Sequence, residues 1–312
     1  METTEKKFII IAGPTAVGKT AVSVELAKKL KGEIISADSM QIYKGMDIGT
    51  AKISSDEMQG IRHHLIDIAE PDEEFTAAHY STEAKKKIAS ALSRGKTPII
   101  VGGTGLYINT LLYEMDFNVS EPDREFRRQM EALRVEKGKD FLYGLLQKKS
   151  PETAKILHPN NYKRVIRALE ILSQKETVDS FAALRKPAMK GDCAVYVLSM
   201  DRAILYERID RRVSMMIQEG LEGEVRRLLE RGFSEELPSM KGIGYRQMIQ
   251  YIRGEISLEQ AAEMIRRDSR RYAKRQLTWF RRYPEAIWID VLQKDITEIV
   301  DWIEIDFYKN RS

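Results

Sequence analysis

A chain of 312 residues with 43% hydrophobic and 31% charged residues is long enough for two structural units, and its composition is that of a globular protein, excluding a disordered or fibrous one. The single cysteine, Cys193, excludes an internal disulfide and a cysteine-based metal cluster, and reads as a small filler at a strand edge in a reducing compartment. No apolar run approaches a membrane span and the opening Met1-Glu2-Thr3-Thr4-Glu5-Lys6-Lys7 lacks an apolar signal segment, so a cytoplasmic protein with no membrane partner is expected. With a net charge of only +4, the placement of the basic residues says more than their sum.

The first element in chain order is the hydrophobic strand Phe8–Ala12. It runs straight into Gly13-Pro14-Thr15-Ala16-Val17-Gly18-Lys19-Thr20, the full G-x-x-x-x-G-K-T phosphate loop. The glycines let successive backbone N–H groups point inward, Lys19 reaches the outer phosphates, and the Thr20 hydroxyl is placed to ligate Mg2+ between phosphate oxygens. Val22, Leu26 and Leu30 follow at four-residue spacing, as a helix packed on a sheet requires. Further apolar runs bounded by turn signals lie at Glu33–Ala37, Leu65–Ile68, Pro98–Val101 and Val195–Ser199, with helical patterns between them. This alternation predicts an α/β fold, a P-loop nucleotide-kinase-like core whose mostly parallel sheet is covered on both faces. The clearest helix runs from Thr76 to Arg94, with Ala77, Ala84, Ile88 and Leu92 toward one side and Gly95 as its stop.

From about Glu114 to Asp192 the pattern changes. Glu121-Pro122-Asp123 starts a charged helix, Phe141–Leu146 belongs to a second and Asn161–Leu172 to a third, with no convincing strand. The expected organisation is a core of 1–113 and 193–312 with an inserted all-helical domain over 114–192. After the strand at Val195, Asp201 caps a helix carrying Arg202, Arg208, Arg211 and Arg212, of which Arg208 and Arg212 share a face. A final helix begins at Ser257, where Gln260 completes a capping-box pattern.

Ligands of a parallel sheet gather at the carboxyl ends of its strands. The second strand delivers Asp38-Ser39, followed by Gln41, Tyr43 and Lys52; the run Pro98–Val101 delivers Gly102-Gly103-Thr104-Gly105-Leu106-Tyr107. Beside a phosphate site, Asp38 is either a general base for an acceptor group or a strand-end cap or outer partner of a metal. The Gly-Gly-Thr ending lacks the acid that orients Mg2+ and water in ATP-hydrolysing P-loop proteins, so hydrolysis is not the obvious activity, and Asp67, alternating inside its strand, reads as structural. Between Arg266 and Tyr283, eight basic residues interleave Tyr272, Trp279, Phe280 and Tyr283. Arg267, Arg271, Lys274 and Thr278 share one helical side, a stripe suited to a phosphate backbone, and the aromatics offer stacking surfaces for unpaired bases. Tyr162–Arg167 is a second basic stretch, whose Val165, Ile166 and Leu169 equally suit a core face. His63, His64, His79 and His158 have no metal-ligand spacing and carry no expected catalytic role.

Five blocks taken in order, Gly13–Thr20, Asp38–Lys52, Gly102–Tyr107, Gly242-Ile243-Gly244-Tyr245-Arg246-Gln247 and Lys274-Arg275-Gln276-Leu277-Thr278-Trp279, resemble the bacterial tRNA dimethylallyltransferase (IPP transferase) family over nearly the whole chain. The resemblance implies transfer of a dimethylallyl group from dimethylallyl diphosphate to the exocyclic N6 amine of the adenosine 3′ of the anticodon in tRNA, with release of diphosphate. It implies that Gly13, Pro14, Thr15, Ala16, Val17, Gly18, Lys19 and Thr20 hold the isoprenoid diphosphate instead of ATP. Mg2+ on Thr20 and an arginine, Arg212 with Arg208 as the second choice, would stabilise the departing oxygens. Asp38 would accept a proton or hydrogen bond from the adenine amine and Thr104 would fix the base edge, the base having been flipped out of the anticodon loop. Contacts to the anticodon stem-loop are implied for Asp38, Ser39, Met40 and Gln41, for Thr104 and Arg127, and for Lys163, Arg164, Val165, Ile166 and Arg167 of the insertion. They are implied likewise for Gly242, Ile243, Gly244, Tyr245, Arg246 and Gln247, and for Arg270, Arg271, Lys274, Arg275, Gln276 and Thr278. Met40-Gln41 departs from the commoner small-apolar pair, leaving the base-specific role of Gln41 open. No obligate protein partner is evident. The rivals are an ATP-dependent small-molecule kinase, an adenylate isopentenyltransferase, which has no need of so long a basic stripe, and a noncatalytic RNA-binding protein, which leaves Lys19-Thr20 without purpose.

Overall fold

A computed structural model describes residues 7–113, 123–174 and 193–309. The charged opening of the chain, Glu121-Pro122 and the expected domain boundaries at 114 and 192 lie outside the described residues. Contacts divide the chain into two compact units, one of Met1–Leu111 with Met189–Ser312 and one of Leu112–Ala188.

In the larger unit, β1 (Phe8–Ala12), β2 (Glu33–Ser36), β3 (His63–His64), β4 (Pro98–Gly102), β5 (Cys193–Ser199) and β6 (Ile287–Asp290) form one sheet in the order β3-β2-β4-β1-β5-β6. Every neighbouring pair is parallel, with Ile10 of β1 facing Ile100 of β4 and Val195 of β5. All five residues of β1 are buried, as a strand covered on both faces requires, which is why it is an unbroken apolar run. The strands β2 to β4 fall on one side of β1 and β5 and β6 on the other, so the chain reverses direction across the sheet at the carboxyl end of β1. Open α/β sheets bind ligands at such a point.

The helices follow the sequence signals closely where caps are present. The helix α1 (Lys19–Lys29) starts directly from the phosphate loop, α2 (Ser55–Met58) is a single turn, and α3 (Ala77–Ser93) is capped by Thr76. After β4 comes α4 (Gly105–Leu112). The second unit contains α5 (Arg124–Lys137), α6 (Lys139–Lys149), α7 (Pro151–Ile156) and α8 (Tyr162–Ser173). Its core is built from Leu142, Leu146, Ala154, Leu157, Val165, Ile166, Ala168 and Leu169. Returning to the first unit, α9 (Arg202–Gln218) is capped by the Asp201 carboxylate, and α10 (Leu221–Glu230) and α11 (Tyr245–Ile252) follow. The long α12 (Leu258–Phe280) starts with the reciprocal Ser257 and Gln260 bonds of a capping box, 2.8 and 3.1 Å.

Three expectations are corrected. Leu65–Ile68 is no strand: β3 ends at His64, and Leu65 (φ 61°) and Asp67 (φ 53°) turn the chain through the left-handed region. The turn is held by the Lys52 ammonium, which donates to the Asp67 and Asp47 carboxylates and the Tyr43 carbonyl, so Asp67 is structural for a reason other than strand alternation. The strand β6 was not expected from Ile287–Asp290, a short half-buried run at the sheet edge. Nor is α12 the last helix, since α13 (Ile296–Lys309) follows and buries Ile299, Val300, Ile303 and Phe307 in the main core.

Candidate active site

The loop leaving β1 curls around its own lysine. Gly18 sits at φ 102°, a conformation glycine adopts without the Cβ penalty of other residues, and Ala16 is held at φ 65° beside it. Lys19 folds back so that Nζ donates to the carbonyls of Gly13 (3.0 Å) and Pro14 (2.8 Å). Two helices brace Thr15: Arg212 of α9 donates from Nη1 to its hydroxyl (2.9 Å), and the Gln276 Oε1 of α12 accepts from its backbone N–H (2.9 Å). Gln276 also donates from Nε2 to the Gly103 carbonyl (3.0 Å), tying the phosphate loop to the end of β4.

Burial pulls the Lys19 ammonium down to about 8, opposed by the Asp38 carboxylate and aided by the Arg212 charge. The charged lysine, present below that value, is the form that attracts a diphosphate. The kcat/KM for a diphosphate substrate, which reports the free enzyme, should therefore fall about tenfold per unit as pH rises above 8. Lys19→Arg, with a guanidinium that stays charged, should lose this alkaline limb in a steady-state pH profile.

Across the cleft, β2 and β4 approach so closely that a Cβ on Gly102 would lie 2.1 Å from the Ala37 carbonyl oxygen. Close approach explains the Gly-Gly-Thr ending: Thr104 N–H donates to that same carbonyl (3.1 Å), and Thr104 Oγ1 accepts from the Ser39 N–H (3.0 Å). Asp38, at the end of β2, uses Oδ1 to accept from Met40 N–H (2.9 Å). Gln41 donates to the carbonyls of Thr50 and Ala51, bracing the Asp38–Lys52 segment from within.

By its place among the arginines of α12, Tyr272 is expected to be a stacking aromatic. In the structure it lines the cleft one helical turn before Gln276, and burial raises its phenol to about 12, the Asp38 charge adding to the effect and Thr104 opposing it. It remains a hydrogen-bond donor at any working pH. Glu224 of α10 lies in no quoted motif, yet the residue is 2% exposed and its carboxylate accepts from the N–H groups of Asp47, Ile48 and Gly49 (2.9, 2.7 and 3.1 Å) and from the Tyr245 hydroxyl (2.7 Å). It joins the Asp38–Lys52 and Gly242–Gln247 blocks. Glu224→Ala leaves four donors without an acceptor and should lower stability by at least about 3 kcal/mol in thermal or urea unfolding.

Most expected site residues of the first unit converge on one cleft of about 600 Å3: Thr15, Lys19 and Thr20, the segment Asp38–Gln41, Arg208 and Arg212, Gly242, Ile243 and Tyr245, and Arg275 and Gln276, joined there by Tyr272. Others have structural duties. Arg270 is engaged by Asp210 (2.7 Å) and Glu263 (2.9 Å), and Gln247 accepts from Gly244 N–H while donating to Asp268. Arg267, Arg271, Lys274 and Thr278 are all exposed along one side of α12. The neighbouring aromatics turn inward, contrary to expectation. Phe280 and Tyr283 are buried, and Trp279 lies against Gly105 of α4 and donates to Asn109 Oδ1 (3.3 Å), which also accepts from the Tyr283 hydroxyl (2.6 Å). In the second unit Lys163 and Arg164 are exposed, whereas the Val165 and Ile166 side chains belong to the core. There Arg127 and Arg167 neutralise the fully buried Glu170 carboxylate at 2.9 and 2.6 Å. His64 likewise pairs with buried Glu33 (2.7 Å).

A phosphate loop sharing its cleft with the Asp38 carboxylate, and a β4 that ends in Gly-Gly-Thr with no acid there to orient Mg2+ and water, suit group transfer better than hydrolysis. The model of the IPP transferase family matches residues 41–283, which includes the Asp38 segment from Gln41 onward and every block after it. The chain belongs to the IPP transferase family. The tRNA dimethylallyltransferase of Alkaliphilus metalliredigens is 46% identical over 99% of this chain and 100% of its own length. That of Clostridioides difficile is 47% identical over 92% of each. Among solved structures, the tRNA isopentenylpyrophosphate transferase of Bacillus halodurans superposes with a TM-score of 0.73 at 43% identity, covering 98% of both chains. A eukaryotic dimethylallyltransferase described as acting on tRNA gives 0.83 at 32% identity, over 99% of this chain and 81% of that one. The expected IPP transferase fold, an α/β core with a parallel sheet, is thus present. Among the described residues no helix is long and apolar enough to cross a membrane.

Proposed function

We propose that this IPP transferase carries a dimethylallyl group from dimethylallyl diphosphate to the N6 amine of the adenosine 3′ of the anticodon in tRNA, releasing diphosphate in the cytoplasm without an obligate protein partner. The observation that carries the reading is the meeting of opposite charges in one cleft: Asp38 lines it together with Lys19 of the phosphate loop and Arg212 of α9, whose guanidinium reaches the Thr15 hydroxyl of that loop. Breaking the bond between carbon and the diphosphate oxygen leaves the electron pair on that oxygen, where Lys19, Arg212 and the loop N–H groups stabilise it. The amine nitrogen forms the new bond to carbon and passes a proton to Asp38. Tyr272, which lines the cleft with Asp38, and Thr104, whose hydroxyl holds the Ser39 N–H next to Asp38, supply polar groups to hold the base edge.

The donor set also fits Mg2+. Thr20 is exposed in the cleft directly after Lys19, and among the described residues no group of three His, Cys, Asp or Glu could hold a metal by itself. That matches a small hard cation held by one protein oxygen together with substrate phosphates, where it would neutralise charge on the leaving group.

Exposed Arg271 and Lys274 on α12, with Lys163 and Arg164 on α8, are the residues that would follow the tRNA backbone. Changing both Arg271 and Lys274 to Gln should weaken tRNA binding and make the slope of log Kd against log salt shallower by about one to two; an unchanged slope would show that this side of α12 meets only solvent. The function itself is tested by incubating the protein with unmodified tRNA, dimethylallyl diphosphate and Mg2+ and analysing the nucleosides by mass. A dimethylallyl adenosine product is expected, and unmodified nucleosides would refute the reading.

A further inference from the structure

One acid stands in the middle of the basic face of α12, and its surroundings are built. Asp268 exposes 13% of its side chain and is ringed by three arginines from two helices. Arg246, in the first turn of α11, donates from Nη2 to Oδ2 at 2.5 Å, Arg267 donates from Nε to Oδ1 at 3.3 Å, and Arg271 Nη1 lies 3.7 Å from Oδ1. Gln247 Nε2 donates to Oδ2 at 3.0 Å, and its Oε1 is fixed by the Gly244 N–H, so the carboxylate is anchored from the start of α11 as well.

A network built for stability would match charges one to one, and exposed pairs of that kind contribute little. Here one carboxylate gathers three guanidinium groups and leaves two positive charges over. The arginines stay 49%, 48% and 64% exposed; Arg246 and Arg267 each use one donor on Asp268 and Arg271 is held by charge alone, so all three keep N–H donors for a further acceptor. Forked donors held in a fixed plane recognise phosphate bidentately and lose less side-chain freedom on binding than unrestrained ones. The Arg267 and Arg271 positions also continue the exposed stripe toward Lys274 and Thr278.

We infer that Asp268 is a positioning residue which arrays Arg246, Arg267 and Arg271 as a clamp for a backbone phosphate of the anticodon arm. The inference rests on the tRNA-prenylating reading above. It makes the loss of a negative charge weaken the binding of a polyanion, the opposite of what the long-range field alone demands.

Binding of an unmodified anticodon stem-loop RNA is therefore measured by fluorescence anisotropy over a range of salt for the wild type and two variants. Asp268→Asn is nearly isosteric and removes one negative charge; its Kd should rise about tenfold, with KM for tRNA rising and kcat at saturating tRNA unchanged. Tighter binding with a steeper salt slope would overturn the inference, because the arginines would then act only through their field. Arg246→Lys, at a half-exposed site that folding tolerates, keeps the charge and removes the fork. It should lose affinity several-fold with the salt slope nearly unchanged, and wild-type affinity in this variant would equally overturn the clamp. Wild-type protein that ignores the stem-loop would overturn the tRNA reading and the clamp together, an outcome distinct from either variant result.

Discussion

Asp38→Asn should lower kcat about 10²- to 10⁴-fold, the usual contribution of a positioned general base, while the Kd for tRNA stays within about threefold of wild type. Asparagine is the informative replacement because its Oδ1 can still accept the Met40 N–H bond that Asp38 makes at 2.9 Å, so the turn after β2 survives and only the basic charge is removed. Alanine would remove both. Rapid-quench measurement of the chemical step separates the two effects, and a loss of tRNA affinity equal to the loss of rate would make Asp38 a positioning group instead of the proton acceptor.

Arg212→Ala should cost about 10²- to 10³-fold in kcat, the typical loss when one preorganised stabiliser of a leaving oxyanion is taken away. A second consequence separates it from a general disruption of the loop. The Arg212 charge helps to hold the Lys19 ammonium down, so its removal lets Lys19 rise from about 8. The alkaline limb of the pH profile for dimethylallyl diphosphate should then move to higher pH even as the rate falls. An unshifted limb with a reduced rate would mean that Arg212 acts through its bond to the Thr15 hydroxyl and not through its charge.

Elements whose signal is local were legible in the sequence. The phosphate loop, the caps at Thr76, Asp201 and Ser257, and the continuous apolar runs of β1, β2 and β4 all declare themselves within a few residues, and each lies close to where the sequence put it. The site was legible wherever a motif follows a strand. What escaped depends on partners distant in the chain. The bend after His64 is enforced by Lys52, β6 becomes a strand only by pairing with β5, and α7 joins a core supplied by α6 and α8. The direction in which a helical side chain points has the same origin. Composition presented Trp279, Phe280 and Tyr283 with Tyr272 as stacking partners for bases, but Trp279 and Tyr283 are drawn to Asn109 of α4 and Phe280 is buried, so that of these four Tyr272 lines the cleft. Glu224 was invisible for a related reason, because the three N–H groups and the phenol that surround it lie up to 177 residues away in sequence and form no pattern around it.

The cradle at the end of β1 is central to all of this, since a diphosphate leaving group and a transferable ATP phosphate make different products from the same loop. Mixing the protein with unmodified tRNA, dimethylallyl diphosphate and Mg2+ in the absence of ATP, and counting diphosphate released against dimethylallyl adenosine formed, decides between them. One diphosphate per modified adenosine, with no release when tRNA is withheld, is the predicted result. Diphosphate-independent transfer of the terminal phosphate of ATP to an acceptor, with the adenosine left unmodified, would contradict it.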